Sequence, residues 1–148
     1  MANRKHVTLL KQGKQGVEAW NAWRRECPET RPDLGRADLR HMDLIGAELS
    51  QANLCQADLR GADLGYASLI EAQLCGADLR RANLRGARLN GADLRRANLG
   101  EADLSYADLS GADLRRADLN GADLRETEFG TADMPRLLNS IPSGGMPP

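Results

Sequence analysis

From Leu34 to Leu124 every fifth residue is leucine without a miss, and Phe129 and Met134 carry the beat to its end. Two residues before nearly every one of these leucines stands an alanine, with Asp or Asn between them. Ala37-Asp38-Leu39, Ala62-Asp63-Leu64 and Ala112-Asp113-Leu114 are examples. A five-residue apolar beat suits neither regular secondary structure. On an α-helix, residues five apart are turned by about 140°, so the leucines would wander round every face. In a flat strand side chains alternate with period two, so an odd spacing would throw successive leucines to opposite faces. The pattern is satisfied only if the chain bends once per repeat. Ala and Leu then point the same way from a short extended segment, Asp points outward, and the two remaining residues turn a corner. A chain that bends the same way at every step closes into a coil and stacks on itself, which predicts an all-β solenoid.

The run A(D/N)LxX, 21 repeats over residues 32–134, resembles the pentapeptide-repeat family in its cyanobacterial type. The resemblance implies a right-handed quadrilateral β-helix, with four repeats per coil. The central residue and the one two before it would fill the interior. The coil length comes from the resemblance alone, because the chain repeats itself at 15 residues (Gly76–Leu84 matches Gly91–Leu99) as well as at 20. On that template the repeats make about five coils, a rod roughly 25 Å long at a strand spacing of about 4.8 Å.

The ends of such a rod expose an unpaired edge and an apolar layer, and both need covering. Three segments follow: an arm and capping helix at 1–31, the β-helix at 32–134, and a cap turn with a disordered tail at 135–148. Residues 7–26 supply the N-terminal cover. Gln15–Glu26 reads as a helix with Val17, Trp20 and Trp23 at three-residue intervals, stopped by Pro28 and Pro32. GVEAWNAWRRECPETRPDL also resembles the lead-in of many cyanobacterial members. At the far end Thr127 replaces Ala, Phe129 and Met134 replace Leu, and Leu137, Leu138 and Ile141 can fold over the last layer. Some relatives dimerise through this end, so the expected state is a monomer or a weak end-to-end dimer.

Aromatics are only 3% of the chain, as a narrow interior of Leu and Ala requires. The net charge of −1 is unevenly divided: residues 33–134 hold 18 Asp/Glu against 12 Lys/Arg, and the flanks hold 3 against 8. The basic, polar N-terminus has no apolar h-region, and no stretch is long enough to span a membrane, so the cytoplasm is the expected compartment. Cys27, Cys55 and Cys75 are odd in number and argue against a disulfide framework. Cys55 and Cys75 would stack on neighbouring layers, but parallel outward Cβ vectors predict two free surface thiols.

On the four-sided template Asp38, Asp58, Asp78 and Asp118 fall in line beside Arg40, Arg60 and Arg80, which reads as a charge ladder rather than an anion groove. Arg95, Arg96, Arg115 and Arg116 form a basic cluster, but the rod is acidic and offers no interleaved aromatics, which argues against nucleic acid. Exposed apolar residues are scarcer. Tyr66 and Tyr106 share a corner column with Gly86 between them, and Ile45 and Ile70 take positions where most repeats place Arg, Ser, Gly or Asn. Tyr66, Ile70, Tyr106 and Ile45 are therefore the candidate partner contacts, with Tyr66 and Ile70 expected around one corner. No Cys/His set has metal-ligand spacing, no phosphate loop appears, and carboxylates on a convex solvated surface have nothing to shift their pKa values. The reading is a non-enzymatic rigid rod, without cofactor or metal, that binds an unidentified protein or serves a structural role. The alternative is imitation of duplex DNA, as in quinolone-resistance members that bind type II topoisomerases. The arginines that interrupt the acidic rows weigh against it.

Overall fold

The computed structural model describes residues 1–135. Two helices, α1 (Arg4–Leu10) and α2 (Gly13–Glu26), precede the repeats. From Asp33 onward each side of the coil contributes one residue to a parallel pairing with the residue 20 positions later. Asp33, Asn53, Gln73, Asp93, Asp113 and Asp133 make one such column. With a turn every five residues, a 20-residue step means a β-helix with four sides to each coil.

The hydrogen bonds explain why the repeat reads Ala-Asp/Asn-Leu. In the repeat centred on Leu59, Asp58 N–H donates to Ala37 O of the coil before (3.0 Å), and Leu59 N–H to Asp78 O of the coil after (2.8 Å). Gly61 N–H reaches Arg80 O (3.0 Å), and Ala62 N–H closes the turn on Leu59 O (3.0 Å). One N–H per repeat remains, that of the residue after leucine, and the Asp58 carboxylate takes it from Arg60 (3.3 Å). Wherever Asp or Asn precedes the leucine, as at Asp63, Asn83 and Asp103, its side chain takes the N–H two residues on and completes the backbone accounting of that repeat.

The turns are equally uniform. The second residue after each leucine lies in the left-handed region, as at Arg36, His41 and Tyr66, with φ near +60°. A turn closed by a bond from its first carbonyl to its fourth N–H, with positive φ at the third position, is the arrangement of a type II turn. Near the end the register slips: Gly130, not the following Thr131, takes the positive φ. There Thr127 Oγ1 donates to Leu104 O (2.8 Å).

Every leucine of the beat from Leu34 to Leu124 is at most 2% exposed, and the alanines from Ala47 to Ala112 are at most 1%. Phe129 is buried in the same core, and Met134 packs against it half-buried.

The helices lie against the first coil, which has no earlier coil to bond. Asn3 N–H supplies Asp33 O (2.8 Å), and the Trp20 indole Nε1 supplies Glu48 O (2.8 Å). The Asn21 amide accepts from Glu48 N–H (2.8 Å) and donates to Gly46 O (3.0 Å). Arg24 donates to Thr30 O and, at 3.1 Å, to Ser50 O. Side chains of α2 thus take the place of a missing coil along the side Gly46–Ser50. Trp20 is fully buried, Val17 nearly so, and Trp23 half-buried. The helix starts at Gly13, two residues before the sequence expectation, and α1 was not anticipated. Its His6 sits against both indoles, with ring centroids 5.4 Å from Trp20 and 4.7 Å from Trp23. Gly16 permits this packing: a Cβ there would stand 2.1 Å from Leu9 O. Leu137, Leu138 and Ile141 lie outside the described residues.

A tyrosine–arginine corner as the candidate interaction site

The 20-residue step sorts the outward residues into four corners. Ile45, Gly65, Arg85, Ser105 and Arg125 form one column of a single corner. Gly46, Tyr66, Gly86, Tyr106 and Glu126 form the column beside it. The exposed large apolar side chains of the described rod, Ile45 (49%), Tyr66 (66%) and Tyr106 (56%), all fall on this corner. Ile70 does not. It lies one turn further on, at the other end of the side Ala67–Leu69, and is half-buried. The expected Tyr66–Ile70 patch is therefore corrected: four residues along a repeat cross a whole side, so the pair flanks a face instead of sharing a corner.

The corner is internally connected. The Tyr66 ring leans over the next rung, where a Cβ on Gly86 would meet its Cε1 at 2.6 Å. Glycine there leaves the ring a flat backbone to rest on. The Arg85 guanidinium lies 4.5 Å from the Tyr106 ring centroid, a cation–π distance, and Arg85 Nη1 donates to Ser105 Oγ (3.1 Å). The Tyr66 phenol oxygen holds the Arg85 guanidinium in its charged form above its ordinary range. No carboxylate among the described residues is within ion-pair distance of Arg85. A shallow cleft beside it is lined by Arg85, Tyr106, Arg125 and Glu126.

Much of the remaining charge is paired within the repeats. Wherever the repeat reads Asp-Leu-Arg, the arginine folds back on its own aspartate. Arg60 Nε and Nη2 donate to Asp58 Oδ1 (2.8 Å) and Oδ2 (2.6 Å), and Arg60 Nε also faces Asp78 of the next rung at 3.7 Å. Arg40, Arg80, Arg95, Arg115 and Arg125 repeat the bidentate pairing. The hydrogen bond from arginine holds Asp58, Asp78, Asp93, Asp113 and Asp123 below the usual carboxylate range. Arg95 and Arg115 of the basic cluster are thus neutralised, which leaves Arg96 and Arg116. A wider depression there borders Met134 and Pro135, the last described residues.

Cys55 and Cys75, expected as free thiols, are joined as a disulfide with a Cα–Cα distance of 4.7 Å. Both occupy the first turn position, where the side chain can swing along the column instead of staying parallel to its neighbour. The separation of one rung lies within the range a bridge needs. Cys27 is free and half-buried.

Among the described residues no group of three or more His, Cys, Asp or Glu is placed to hold a metal ion. No described helix is long and apolar enough to cross a membrane.

Four sides to each coil, a Leu/Ala interior and an Asx in most sides define a pentapeptide β-helix. The family model for pentapeptide repeats matches in eight copies, over residues 30–61, 57–96 and 92–130. The chain belongs to the pentapeptide-repeat family. Its solved likenesses include a pentapeptide-repeat protein (Rfr23) from the cyanobacterium Cyanothece 51142, at 38% identity and TM-score 0.60, covering 61% of each chain. A pentapeptide-repeat protein from the Arabidopsis thaliana thylakoid lumen, AT2G44920, is 34% identical with TM-score 0.63, over 64% of this chain and 66% of that one. The chain thus spans less than two thirds of the length of either. QnrB1, a plasmid-mediated fluoroquinolone resistance protein, is similar at only 21% identity and TM-score 0.36. No curated protein matches the chain. The family is one of structural and interaction modules, built on the right-handed quadrilateral β-helix.

Proposed function

We propose that this protein is a non-enzymatic rigid rod that docks a protein partner along the corner of Ile45, Tyr66, Arg85 and Tyr106. The observation that carries the reading is the concentration of the exposed apolar side chains of the described rod on one corner of an otherwise polar and charged surface. Tyrosine and arginine are the residue types enriched where interfaces gain most of their energy. Here both are held by neighbours before any partner arrives. Residence in the cytoplasm belongs to the same proposal. Imitation of DNA finds less support, because arginines interrupt the acidic rows at Asp38, Asp58, Asp78, Asp93, Asp113 and Asp123.

The test is capture of partners from host lysate on the wild-type rod and on a Tyr66→Ser/Tyr106→Ser variant, which leaves the core untouched. A protein retained by the first and lost from the second supports a docking corner. Equal retention on both rods places the contact elsewhere. Topoisomerase subunits in both eluates would restore the mimic.

A further inference from the structure

The spacing of the two tyrosines points to the form of the partner. One rung of this rod measures 4.7 Å between Cα atoms at Cys55 and Cys75. Tyr66 and Tyr106 stand two rungs apart in one column, so their Cα atoms are separated by twice that distance, about 9.4 Å along the rod. A polyproline II helix repeats each face every three residues at ~3.1 Å per residue, about 9.3 Å. An extended strand repeats a face at about 6.6–6.8 Å, and an α-helix presents a turn every ~5.4 Å. Neither of these fits two rungs.

We propose that the corner binds a proline-rich segment in the polyproline II conformation. Prolines at i and i+3 would seat on Tyr66 and Tyr106, with an acidic residue between them facing Arg85. The proposal rests on the corner being the docking surface argued above, and it adds the partner's conformation and register. The rung between the tyrosines carries Gly86, and the Tyr66 ring lies flat over its backbone, so no second side chain competes there. Each ring has one side backed, Tyr66 by the Gly86 backbone and Tyr106 by the Arg85 guanidinium. Over half of each tyrosine remains exposed to receive a proline ring. A polyproline II ligand makes no internal hydrogen bonds, so its carbonyls are free acceptors. A guanidinium has five N–H donors, and those of Arg85 not used by Ser105 can serve them. The tyrosines and the positive charge come together at this place. Arg85 rests on the Tyr106 ring and bonds Ser105 instead of a carboxylate, unlike the arginines of the Asp-Leu-Arg pairs. Because rings and guanidinium are already ordered, little side-chain freedom is lost on binding.

The experiment uses the full chain and three probes: a proline-rich peptide with Glu between prolines three apart, the same peptide with its prolines replaced by Gly and Ser, and a single-stranded RNA oligonucleotide. Binding is followed by titration calorimetry or fluorescence. Expected is saturable binding of the first peptide alone, weakened about tenfold or more by Tyr66→Ser or by Tyr106→Ser, the size of one anchor contact. The register is tested by Tyr106→Gly combined with Glu126→Tyr. This variant keeps two corner tyrosines but sets them three rungs apart, with Glu126→Ser as its control. Loss of binding in the respaced rod and its retention in the control support the inference. Unchanged binding in the respaced rod overturns it, as does equal binding of the Gly/Ser peptide. If neither peptide binds while lysate capture still separates wild type from the tyrosine double variant, the polyproline reading falls and the docking corner stands. If lysate capture is also equal, both fall. Tyrosine-dependent binding of the oligonucleotide alone would overturn both in favour of a stacking site.

Discussion

Position by position, each repeat makes one awkward demand, the positive φ at the second residue after leucine. Twelve non-glycine residues meet it, Arg116 among them (φ +63°). Left-handed geometry costs an L-residue roughly 1–2 kcal/mol, and it persists here because the turn bond and the neighbouring rungs over-determine it. Arg116 has no ion-pair partner among the described residues. Arg116→Gly is therefore expected to raise the unfolding free energy by up to about 1 kcal/mol, net of the entropy glycine adds to the unfolded chain. Denaturant titration measures it, and a loss of stability would mean the side chain contributes more than its strain. In the interior, Leu84→Ala should cost about 2–5 kcal/mol, because a fully buried leucine in a stack with no slack leaves a cavity. A native-like midpoint for Leu84→Lys would contradict the buried position itself.

Among the elements, the two N-terminal helices and the coil-to-coil disulfide are not provided by the repeat. The Trp20 indole stands in for a backbone donor to Glu48 O. Trp20→Phe keeps an aromatic ring but orphans that carbonyl, with an expected loss of about 1–3 kcal/mol. Hydrogen exchange localised to the first coil would confirm where the loss falls. The Cys55–Cys75 bridge closes a 20-residue loop that backbone bonds such as Gln56 N–H to Cys75 O (2.9 Å) already hold in the folded state. Its contribution therefore comes through the unfolded chain. Reduction should lower stability by about 3 kcal/mol for a loop of this size, with no change in the circular dichroism spectrum. A spectrum that collapses on reduction would show that the bridge shapes the fold itself.

For the molecule as a whole, the charge ladder and the helical cap set the response to acid. Burial between Trp20 and Trp23 lowers the His6 pKa, against the pull of Asp33 and with the push of Arg24. Its folded value lies below its unfolded one, so the unfolded chain binds the proton first. Stability should begin to fall as pH drops through about 6.5. The aspartates paired with arginine are likewise depressed, so their stabilisation is complete above about pH 4 and fades as pH falls through their lower folded values. Thermal melts between pH 8 and pH 2 should show two successive declines. His6→Gln should remove the first and leave the second. A melting temperature flat down to pH 5 in the wild type would mean that His6 does not couple to the fold.

The five-residue beat determined by itself that the chain bends at every repeat, buries Leu and Ala, and stacks into a solenoid. Those are local demands, readable wherever Ala-Asx-Leu recurs. The helical cap was legible in part, through the tryptophan spacing, whereas α1 gave no comparable signal. The period of five is compatible with a coil of any number of sides. Only the tertiary structure, through turn dihedrals repeated at every corner, closed the coil at 20 residues. That one number decides which distant residues become neighbours. It placed Ile45 beside Tyr66, set Arg85 between two tyrosines, and brought Cys55 within bonding reach of Cys75. Pairing across a coil is a long-range register, and no local pattern in the chain encodes it.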